Sequence, residues 1–481
     1  MKQLNFLNTK TRYVNHIHFI GIGGIGMSGI AETLLKNGYI ISGSDLKSSD
    51  ITKKLQKLGA KIFFNHSKCN IKNANIIVIS SAIPPYNPEI VQAKSLNIPV
   101  IKRGKILAEI IRYKYGIAVS GTHGKTTTSA IIFSIFFKSN LDPTLINGGH
   151  VREINSNTRL GKSPYYIVEA DESDASFLYL RPIVAVVTNI DNDHLDNYCK
   201  TFNNIKLAFI KFIQNLPFNG TAIICFDDKN IRKIIPLIRC NVITYGFHIK
   251  SDIRIKKYTQ KKFSSYFKII RKHRLNLNIT LNIPGKHNAL NAAAAIAVAT
   301  QKNISDINIL ESLKTFKGVK QRFELCGKFL AYNASNEHNI ITIIQDYGHH
   351  PNEILASINT VKLGWPNKKL VMIFQPHRYT RTYYLFKQFK KVLLKIDELL
   401  LLNVYSANEN PISGSNSLDL YNELKKCGKT SVTLISNYNE IFKTLVKKLS
   451  ENNVLLIQGA GNIHIIIDNY VIKKLKKINK K

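Results

Sequence analysis

Residues 121–128 read GTHGKTTT, a glycine-rich stretch followed by a lysine and three threonines. The apolar run YGIAVS precedes it and the apolar run SAIIFSIFF follows it, as in a strand that leads through a turn into a helix. Glycines let backbone N–H groups turn inward around phosphate oxygens, and a helix N-terminus adds a favourable dipole. A lysine here reaches the β- and γ-phosphates, and the next hydroxyl can ligate Mg²⁺. The stretch therefore predicts a site for a nucleoside triphosphate.

The loop departs in one respect from the usual G-x-x-x-x-G-K-[ST] pattern. Val119 stands five residues before Gly124, which leaves the shorter form G-x-x-G-K-T. An ordinary strand-to-helix turn that happens to contain a lysine is the alternative interpretation. Because the strand, the spacing and the helix are all present, we favour the phosphate site. The predicted nucleotide contacts, with Lys125 also catalytic, are Gly121, Thr122, His123, Gly124, Lys125, Thr126 and Thr127.

Acidic residues that could hold a metal follow the next apolar run. The segment YYIVEADESD places Glu169, Asp171, Glu172 and Asp174 at the end of a predicted strand. Since side chains alternate along a strand, only some of these carboxylates can face one site. Glu169 is nearest to the strand end and is the predicted Mg²⁺ ligand beside Thr126. The other carboxylates are expected to accept hydrogen bonds from loop backbone.

A further strand, VAVVTNIDNDHLD, carries Asn189, Asp191, Asp193 and His194 at its end. Ligands of open α/β sheets gather at the carboxyl ends of the strands, so three successive strand ends are expected to converge on one crevice. A lone histidine is more often structural than functional. Because His194 shares its strand edge with the phosphate loop, we predict a functional role for it.

A second glycine-rich turn, GIGGIGMSG, follows the apolar run HIHF near the start of the chain. About twenty residues later Asp45 stands at the end of a second strand, which is the pattern of a dinucleotide-binding unit and would by itself suggest NAD. A nicotinamide dehydrogenase has no need of the loop at 121–128. The two loops together indicate two different diphosphate ligands. The predicted contacts at this turn are Gly21, Gly23, Gly24, Gly26 and Asp45, with Ser80 at the end of another strand.

The elements that position these residues form three series of short apolar runs alternating with amphipathic stretches. This rhythm predicts parallel sheets with helices on their faces, and the absence of a fixed period argues against internal repeats. We predict an α/β protein of three domains: an N-terminal Rossmann-like domain at 1–105, a central P-loop domain at 106–318 and a C-terminal Rossmann-like domain at 319–481.

Composition narrows the class of protein. The chain has 481 residues, is 44% hydrophobic and carries a formal net charge of +37. A nucleic-acid partner would use this charge, but the lysines are spread over the whole chain with no aromatic-interleaved patch, so we expect no nucleic-acid partner. No apolar run is long enough to span a membrane, and the six scattered cysteines fit reduced thiols. We therefore expect a cytoplasmic protein with no membrane partner.

Read together, the motifs resemble those of the ATP-dependent Mur ligases of peptidoglycan synthesis. The resemblance covers nearly the whole chain and rests on nine segments in the family's order. They are GIGGIGMSGIAE, GTHGKTTT, EADESDASF, TNIDNDHLD, GKHNALNAAAA, GVKQRF, DYGHHP, FQPHRYTRT and QGAGN. It implies that the first domain binds a UDP-sugar, the middle domain binds ATP with Mg²⁺, and the last domain helps to bind an amino acid.

The resemblance also implies a reaction and further site residues. ATP would phosphorylate the carboxylate of UDP-N-acetylmuramate, and the amine of L-alanine would attack the acyl phosphate. Thr126 and Glu169 would hold one metal ion and His194 a second. His287, Asn288, Asn291 and Arg322 would contact the nucleotide. The carboxylate of L-alanine would be bound by His377, Arg378 and Arg381, and Asp346 would shape the pocket for alanine and the sugar.

Other activities remain open at this stage. A ligase that adds a tripeptide to the same UDP-sugar is the alternative, although its first loop typically carries a cysteine where this chain reads GIGGIGMSG. A nucleotide-dependent nucleic-acid binder and a dehydrogenase are the alternatives from other classes. The sequence does not set the oligomeric state.

Overall fold

The computed structural model describes residues 14–80, 82–193, 195–199, 201–332, 338–449 and 453–477. They divide into two compact units. The first comprises Met1–Arg254, Ile270–Leu275 and Asn291–Ser312, and the second comprises Ile255–Ile269, Asn276–Leu290 and Leu313–Lys481. Each unit contains parallel β-sheet flanked by helices, as the alternation of apolar and amphipathic segments predicts.

The first sheet lies in the first unit and carries the glycine turn at its carboxyl edge. Its strands pair in parallel in the order β3-β2-β1-β4-β5. The strands are β1 (His16–Ile20), β2 (Ile40–Ser44), β3 (Lys61–Phe63), β4 (Ile76–Ile79) and β5 (Val100–Lys102), and the helices are α1 (Ile25–Lys36), α2 (Asp50–Lys57), α3 (Pro88–Ser95) and α4 (Arg103–Ile111).

The second sheet has ten strands within the described residues, and the seven that lie wholly in this unit follow the order β8-β7-β9-β6-β10-β11-β12 and pair in parallel except for β7–β8. Ile117, Ala118 and Val119 of its central strand β6 are fully buried because both neighbouring strands and both faces are covered. Its elements are β6 (Tyr115–Ser120), α5 (Lys125–Lys138), β7 (Thr144–Val151), β8 (Ser156–Arg159), β9 (Tyr165–Glu169), β10 (Val184–Val187), α6 (Phe202–Gln214), β11 (Thr221–Cys225), α7 (Lys229–Ile234) and β12 (Asn241–Gly246).

Burial of helix α5 holds its N-terminus in place. Every residue from Thr126 to Phe136 is buried, so the helix is enclosed on all sides and is not amphipathic. Phe133 and Phe136 are among the largest fully buried side chains of the described structure. The loop before α5 is therefore held between a buried strand and a buried helix.

Four elements contribute residues to both units: β13 (Ile253–Lys261), β14 (Ser264–Arg271), α8 (Lys286–Gln301) and α9 (Asp306–Thr315). The second unit also contains β15 (Leu277–Leu281), which pairs antiparallel with β14. Phe263, between β13 and β14, packs edge-on against Trp365 at 4.9 Å between ring centroids.

The sheet of the second unit has the order β20-β19-β18-β21-β17-β16-β22, with antiparallel pairing at β17–β16–β22. Alternate residues of β18 face two separate cores: Leu370, Met372 and Phe374 one, Val371 and Ile373 the other. Its elements are β16 (Glu324–Tyr332), β17 (His338–Asp346), α10 (Pro351–Gly364), β18 (Lys369–Phe374), α11 (Tyr379–Tyr384), α12 (Phe386–Leu393), β19 (Glu398–Leu402), α13 (Ser417–Lys426), β20 (Val432–Ile435), α14 (Ile441–Lys448), β21 (Asn453–Gln458), α15 (Ile463–Tyr470) and β22 (Lys476–Lys477).

These sheets confirm the predicted α/β class. Within the described residues, no helix combines the length and the apolar character that crossing a lipid bilayer demands.

A buried arginine in the first unit, paired with a partly exposed aspartate, leads to a stability prediction. Arg271 ends β14 with its side chain 1% exposed, and its guanidinium donates to both carboxylate oxygens of Asp306, at 2.8 and 2.7 Å. The guanidinium also donates from Nε to the Leu275 carbonyl at 3.0 Å. Arg271→Ala removes this donor and opens a cavity, so we expect it to lower the free energy of unfolding by about 3 kcal/mol. The apparent Tm, measured by calorimetry, should fall by about 5 °C or more. Arg274→Ala, at an exposed arginine of the same turn, is the control and should change the Tm little.

Candidate active site

Two glycines shape the loop between β6 and α5. Gly121 has φ +131° and Gly124 has φ +84°, backbone conformations that L-residues with side chains rarely adopt. A Cβ at Gly124 would also lie 2.6 Å from Asn291 Oδ1 in helix α8. Only glycine fits here, so the loop has the close backbone approach that a phosphate cradle requires. Asn291, a predicted nucleotide contact, lies at this loop.

The end of β10 holds the same loop in place. Asn189 accepts the Thr122 N–H on its carbonyl at 3.1 Å and the His123 N–H on its side chain at 2.8 Å. In return the Asp191 N–H donates to Thr122 Oγ1 at 2.9 Å. His123 Nε2 lies 3.3 Å from Asp191 Oδ2. The β10 strand end thus meets the loop, as the convergence of strand ends predicts, but its His194 lies outside the described residues.

Lys125 is the first residue of α5, and its ammonium is turned back into the loop. Nζ donates to the carbonyl oxygens of Gly121 at 2.7 Å and Thr122 at 3.3 Å, and lies 2.8 Å from Glu172 Oε2. Burial alone would lower the pKa of Lys125, but neighbouring carboxylates, first that of Glu172, outweigh burial and raise it. Lys125 is therefore a charged ammonium at the mouth of a glycine loop.

Glu172 is the carboxylate that sequence reasoning did not connect to Lys125. Its side chain is 4% exposed, and burial raises its pKa to about 7 against the attraction of the Lys125 ammonium. Asp171 and Asp174 instead accept loop N–H groups, from Ser173 and Ser176, both at 3.0 Å, as expected for the non-ligand carboxylates.

Glu169 ends β9 and is held by a glycine of the neighbouring strand. The Gly148 N–H donates to Glu169 Oε2 at 2.8 Å, and a Cβ at Gly148 would lie 2.7 Å from that oxygen. Asn147, the preceding residue, donates to the Thr126 carbonyl at 3.3 Å and accepts from Ser129 Oγ at 2.8 Å. The predicted metal ligands Thr126 and Glu169 are thus both tied to one short segment of β7. This segment was not predicted from the sequence, and the triplet NGG at 147–149 is its only sign there.

Arg103 joins the first glycine turn to the acidic segment. Its NH2 donates to Asp171 Oδ2 at 2.8 Å and lies 3.8 Å from Asp174 Oδ2. A Cβ at Gly26 would lie 2.6 Å from its NH1. Burial would raise the pKa of Asp171, but Arg103 and then Lys125 hold it at about 2. Sequence analysis missed Arg103, whose only signal is an arginine directly after the strand VIK.

The first glycine turn is closed by backbone contacts to β2. The N–H groups of Gly21 and Ile22 donate to the Ser44 carbonyl at 2.8 and 3.1 Å. The Gly23 N–H donates to Asp45 Oδ2 at 2.8 Å. The N–H groups of Gly21, Ile22 and Gly23 are therefore already hydrogen-bonded within the protein. An anion would instead contact the first turn of α1, which begins after Gly24, because the first N–H groups of a helix have no acceptor within the helix.

Ser80 lies beside this turn. A Cβ at Gly21 would stand 3.8 Å from its Oγ, which accepts the Ala82 N–H at 3.3 Å. The predicted UDP-sugar contacts Gly21, Gly23, Gly24, Gly26, Asp45 and Ser80 thus share one edge of the first sheet.

In the second unit, the predicted nucleotide contacts His287 and Arg322 lie near one carboxylate. Arg322 NH1 is 3.7 Å from Glu353 Oε1, and its guanidinium lies 5.0 Å from the Tyr347 ring centroid. Burial lowers the pKa of His287 to about 4, against the attraction of Glu353, so its imidazole is neutral at pH 7. Asn288 Nδ2 donates to the Pro284 carbonyl at 2.6 Å and fixes the start of α8.

The predicted amino-acid contacts of the second unit cluster after β18. Arg381 is 7% exposed and donates to His377 Nδ1 at 3.3 Å, and His377 stacks on Tyr405 at 5.4 Å. Arg378 has φ +71°, a strained conformation for arginine, and its Nε lies 3.9 Å from Glu409 Oε1.

Asp346 of β17 is buried below a loop of the same unit. It accepts from the Ser357 hydroxyl and, at 3.3 Å, from the Gly348 N–H, and burial raises its pKa. This placement favours a role in holding the loop.

Comparison with known proteins identifies the family. Models described as "Mur ligase family, catalytic domain", "Mur ligase middle domain" and "Mur ligase, glutamate ligase domain" match residues 16–115, 119–299 and 322–461. The chain belongs to the Mur ligase family. Its three-domain organisation is that of Mur ligases, while the domain bounds 1–105, 106–318 and 319–481 stay predictions.

Individual Mur ligases resemble the chain over its full length. The UDP-N-acetylmuramate–L-alanine ligase of Buchnera aphidicola subsp. Baizongia pistaciae is 58% identical, over 99% of this chain and 98% of that protein. The ligase of the same name from Buchnera aphidicola subsp. Acyrthosiphon pisum is 51% identical, over 100% and 99%. The crystal structure of UDP-N-acetylmuramate-alanine ligase from Thermotoga maritima matches with a TM-score of 0.79 and 29% identity, over 95% of this chain and 98% of that one.

The neutral state of His287 gives a pH prediction. Its pKa is about 4 in the folded protein, against an ordinary value of 6.5 for a solvated histidine, so the unfolded chain binds more protons between these values. Stability from burying neutral His287 is therefore complete above pH 6.5 and is lost as the pH falls towards 4.

We expect His287→Asn to remove this acid-sensitive contribution. Relative to the unsubstituted protein, the Tm deficit of the variant should be larger at pH 7.5 than at pH 5, by a few degrees. Thermal denaturation at both pH values measures it, with His273→Asn, an exposed histidine, as the control. A deficit that does not change with pH would contradict the prediction.

Proposed function

We propose that this chain joins L-alanine to the carboxylate of UDP-N-acetylmuramate, with hydrolysis of ATP to ADP and phosphate, in peptidoglycan synthesis. The observation that carries the proposal is the Lys125 ammonium, held by the carbonyls of Gly121 and Thr122 at the N-terminus of α5. The 58% and 51% identity to ligases named for this reaction supports the choice of substrates.

The residues present fit a nucleoside triphosphate. The glycine loop admits close approach, since side chains at Gly121 and Gly124 would strike Thr188 and Asn291. Lys125 would exchange its loop carbonyls for phosphate oxygens, and the first turn of α5 adds its dipole. Mur ligases are ATP-dependent enzymes, which is consistent with this fit.

The residues also fit Mg²⁺, an oxygen-seeking cation. Thr126 offers a hydroxyl and Glu169 a carboxylate, and both are fixed by the Asn147–Gly148 segment. We propose these residues as ligands, with His194 as the ligand of a second ion. A metal ion held by these residues would supply positive charge near the transferring phosphoryl group.

The chain's own groups then supply positioning. Lys125 stabilises negative charge on the transferring phosphoryl group, and the loop amides orient it toward the muramoyl carboxylate. The first turn of α1 would hold the diphosphate of the UDP-sugar, with Arg103 as a nearby cation. Phosphorylation turns a poor electrophile into an acyl phosphate, and attack by the amine of alanine expels phosphate and forms the amide.

Residues of the second unit are proposed for the other ligand groups. His287, Asn288 and Arg322 would contact the nucleotide. A carboxylate such as that of alanine suits an arginine fork, so Arg378 and Arg381 with His377 are proposed to bind it. Asp346 is proposed to shape this pocket by holding the loop at Gly348.

L-alanine is favoured over a tripeptide. The match to relatives named for alanine ligation extends over 98–99% of their lengths, at 51–58% identity. A murein peptide ligase structure from Psychrobacter arcticus matches with a TM-score of 0.69 but 20% identity, which supports the fold alone. We further propose a cytoplasmic enzyme acting on small molecules, without a nucleic-acid or membrane partner, consistent with its free cysteines.

Phosphate release in the presence of UDP-N-acetylmuramate and ATP tests the substrate assignment. We expect release to depend on L-alanine and to be at least tenfold slower with the tripeptide L-alanyl-γ-D-glutamyl-meso-diaminopimelate. A coupled phosphate assay, with mass spectrometry of the UDP product, measures both. Faster turnover with the tripeptide would reverse the assignment, and release stimulated only by nucleic acid would refute it.

Lys125→Ala tests the phosphate loop. We expect kcat to fall at least a thousandfold, because the loop loses the cation that would stabilise the transferring phosphoryl group. Circular dichroism should stay unchanged, because Glu172, with a pKa of about 7, can take up a proton when its partner is removed. Lys138→Ala, at the exposed far end of the same helix, is the matched control and should keep kcat within twofold. Substantial ligation by Lys125→Ala would contradict the proposed role.

A further inference from the structure

A wholly buried carboxylate lies under the first glycine turn, outside the residues used so far. Glu89, in the first turn of α3, is 0% exposed. It accepts hydrogen bonds from Ser44 Oγ at 2.7 Å, His66 Nδ1 at 3.0 Å and Asn70 Nδ2 at 2.6 Å. His18 Nε2 lies 3.7 Å away and is also fully buried. Four side chains from three segments thus surround one carboxylate: His18 of β1, Ser44 of β2, and His66 and Asn70 of the connection between β3 and β4.

The carboxylate is charged in spite of its burial. Desolvation would raise the pKa of Glu89, but contacts from His18, Ser44, Asn70 and His66 outweigh it and lower the pKa to about 2. A buried charge of this kind is a poor source of stability, because apolar residues of similar volume often serve a core as well or better. We therefore look for the role of Glu89 in the groups that it positions.

Ser44 is the residue that connects Glu89 to the turn. It is the last residue of β2 and is fully buried, with its hydroxyl on Glu89 and its carbonyl accepting the N–H groups of Gly21 and Ile22. The next residue, Asp45, accepts the Gly23 N–H at 2.8 Å. The position of Ser44 and Asp45 thus sets the path of the turn into α1.

We propose that Glu89 is a positioning residue for the UDP-sugar site: it fixes Ser44 and thereby the glycine turn and the start of α1. This inference rests on the proposed function for the identity of the ligand. Glu89 lies in α3 and contacts the end of β2 in the first sheet, whereas Lys125 begins α5 and Glu169 ends β9, next to β6, in the second. Loss of Glu89 therefore weakens UDP-sugar binding and leaves phosphoryl transfer unchanged.

Steady-state kinetics of the full chain test the inference. We expect Glu89→Gln to raise the KM for UDP-N-acetylmuramate about tenfold, with kcat and the KM for ATP within twofold. Ser44→Ala, which removes the hydroxyl and keeps the carbonyl, should raise the same KM about threefold. This second variant keeps the test decisive if Glu89→Gln does not fold.

Glu32→Gln is the matched control. Glu32 is a buried glutamate of α1 in the same unit, and its carboxylate pairs with Lys36 at 2.7 Å and Lys54 at 2.8 Å. It should leave the KM for the UDP-sugar unchanged. An equal rise for Glu32→Gln, or a fall in kcat without a rise in KM for Glu89→Gln and Ser44→Ala, would overturn the proposal.

Calorimetric titration with UDP alone separates this inference from the proposed function. If the unsubstituted protein does not turn over UDP-N-acetylmuramate, the proposed function fails by itself. The Kd for UDP then decides the role of Glu89: a rise of about tenfold in Glu89→Gln supports positioning, and an unchanged Kd overturns it.

Discussion

The ammonium of Lys125 is the charge that joins the glycine loop at 121–124 to the acidic segment after β9. A buried cation is costly unless neighbouring charges and dipoles compensate it. Here the compensation comes from loop carbonyls on one side and the Glu172 carboxylate on the other. The loop reaches this geometry only with glycine at 121 and 124, and a helix buried on all sides keeps its first residue in place. The positive φ angles of the loop, the buried helix and the charge of Lys125 therefore meet at the junction of the loop and α5.

The same acidic segment that balances Lys125 also reaches the first domain. Asp171 is held by Arg103, which lies against Gly26 of the first glycine turn. Arg103 and Lys125 both favour the charged form of the Asp171 carboxylate. Within the first unit, Arg103, Asp171 and Lys125 form a line of alternating charges between the proposed UDP-sugar and triphosphate sites. This line of charges gives a physical reason for placing both proposed sites in one compact unit.

The sequence predicted the local parts of the candidate site but not its tertiary contacts. Lys125, Thr126 and Glu169 were predictable because strand, loop and helix follow one another along the chain. The Lys125–Glu172 pair joins residues 47 apart and the Arg103–Asp171 pair joins residues 68 apart, distances over which periodicity carries no information. The α/β class followed from alternating runs, whereas strand order, which brings β7 beside β9, did not. The amides of Gly21 and Gly23 illustrate a further limit, since the pattern cannot tell an amide free for phosphate from one bonded to β2.

The two loops use opposite buried charges. Below the second loop a cation is balanced by carboxylates, which a polyanionic ligand can replace, so that site is poised to exchange partners during turnover. Below the first loop an anion is held by hydroxyl, amide and imidazole groups, all of which donate to Glu89. Such a network has no reason to rearrange when a diphosphate binds above it. A rigid network at the proposed UDP-sugar site and an exchangeable ion pair at the proposed triphosphate site would match a reaction in which one ligand is held while the other is cleaved.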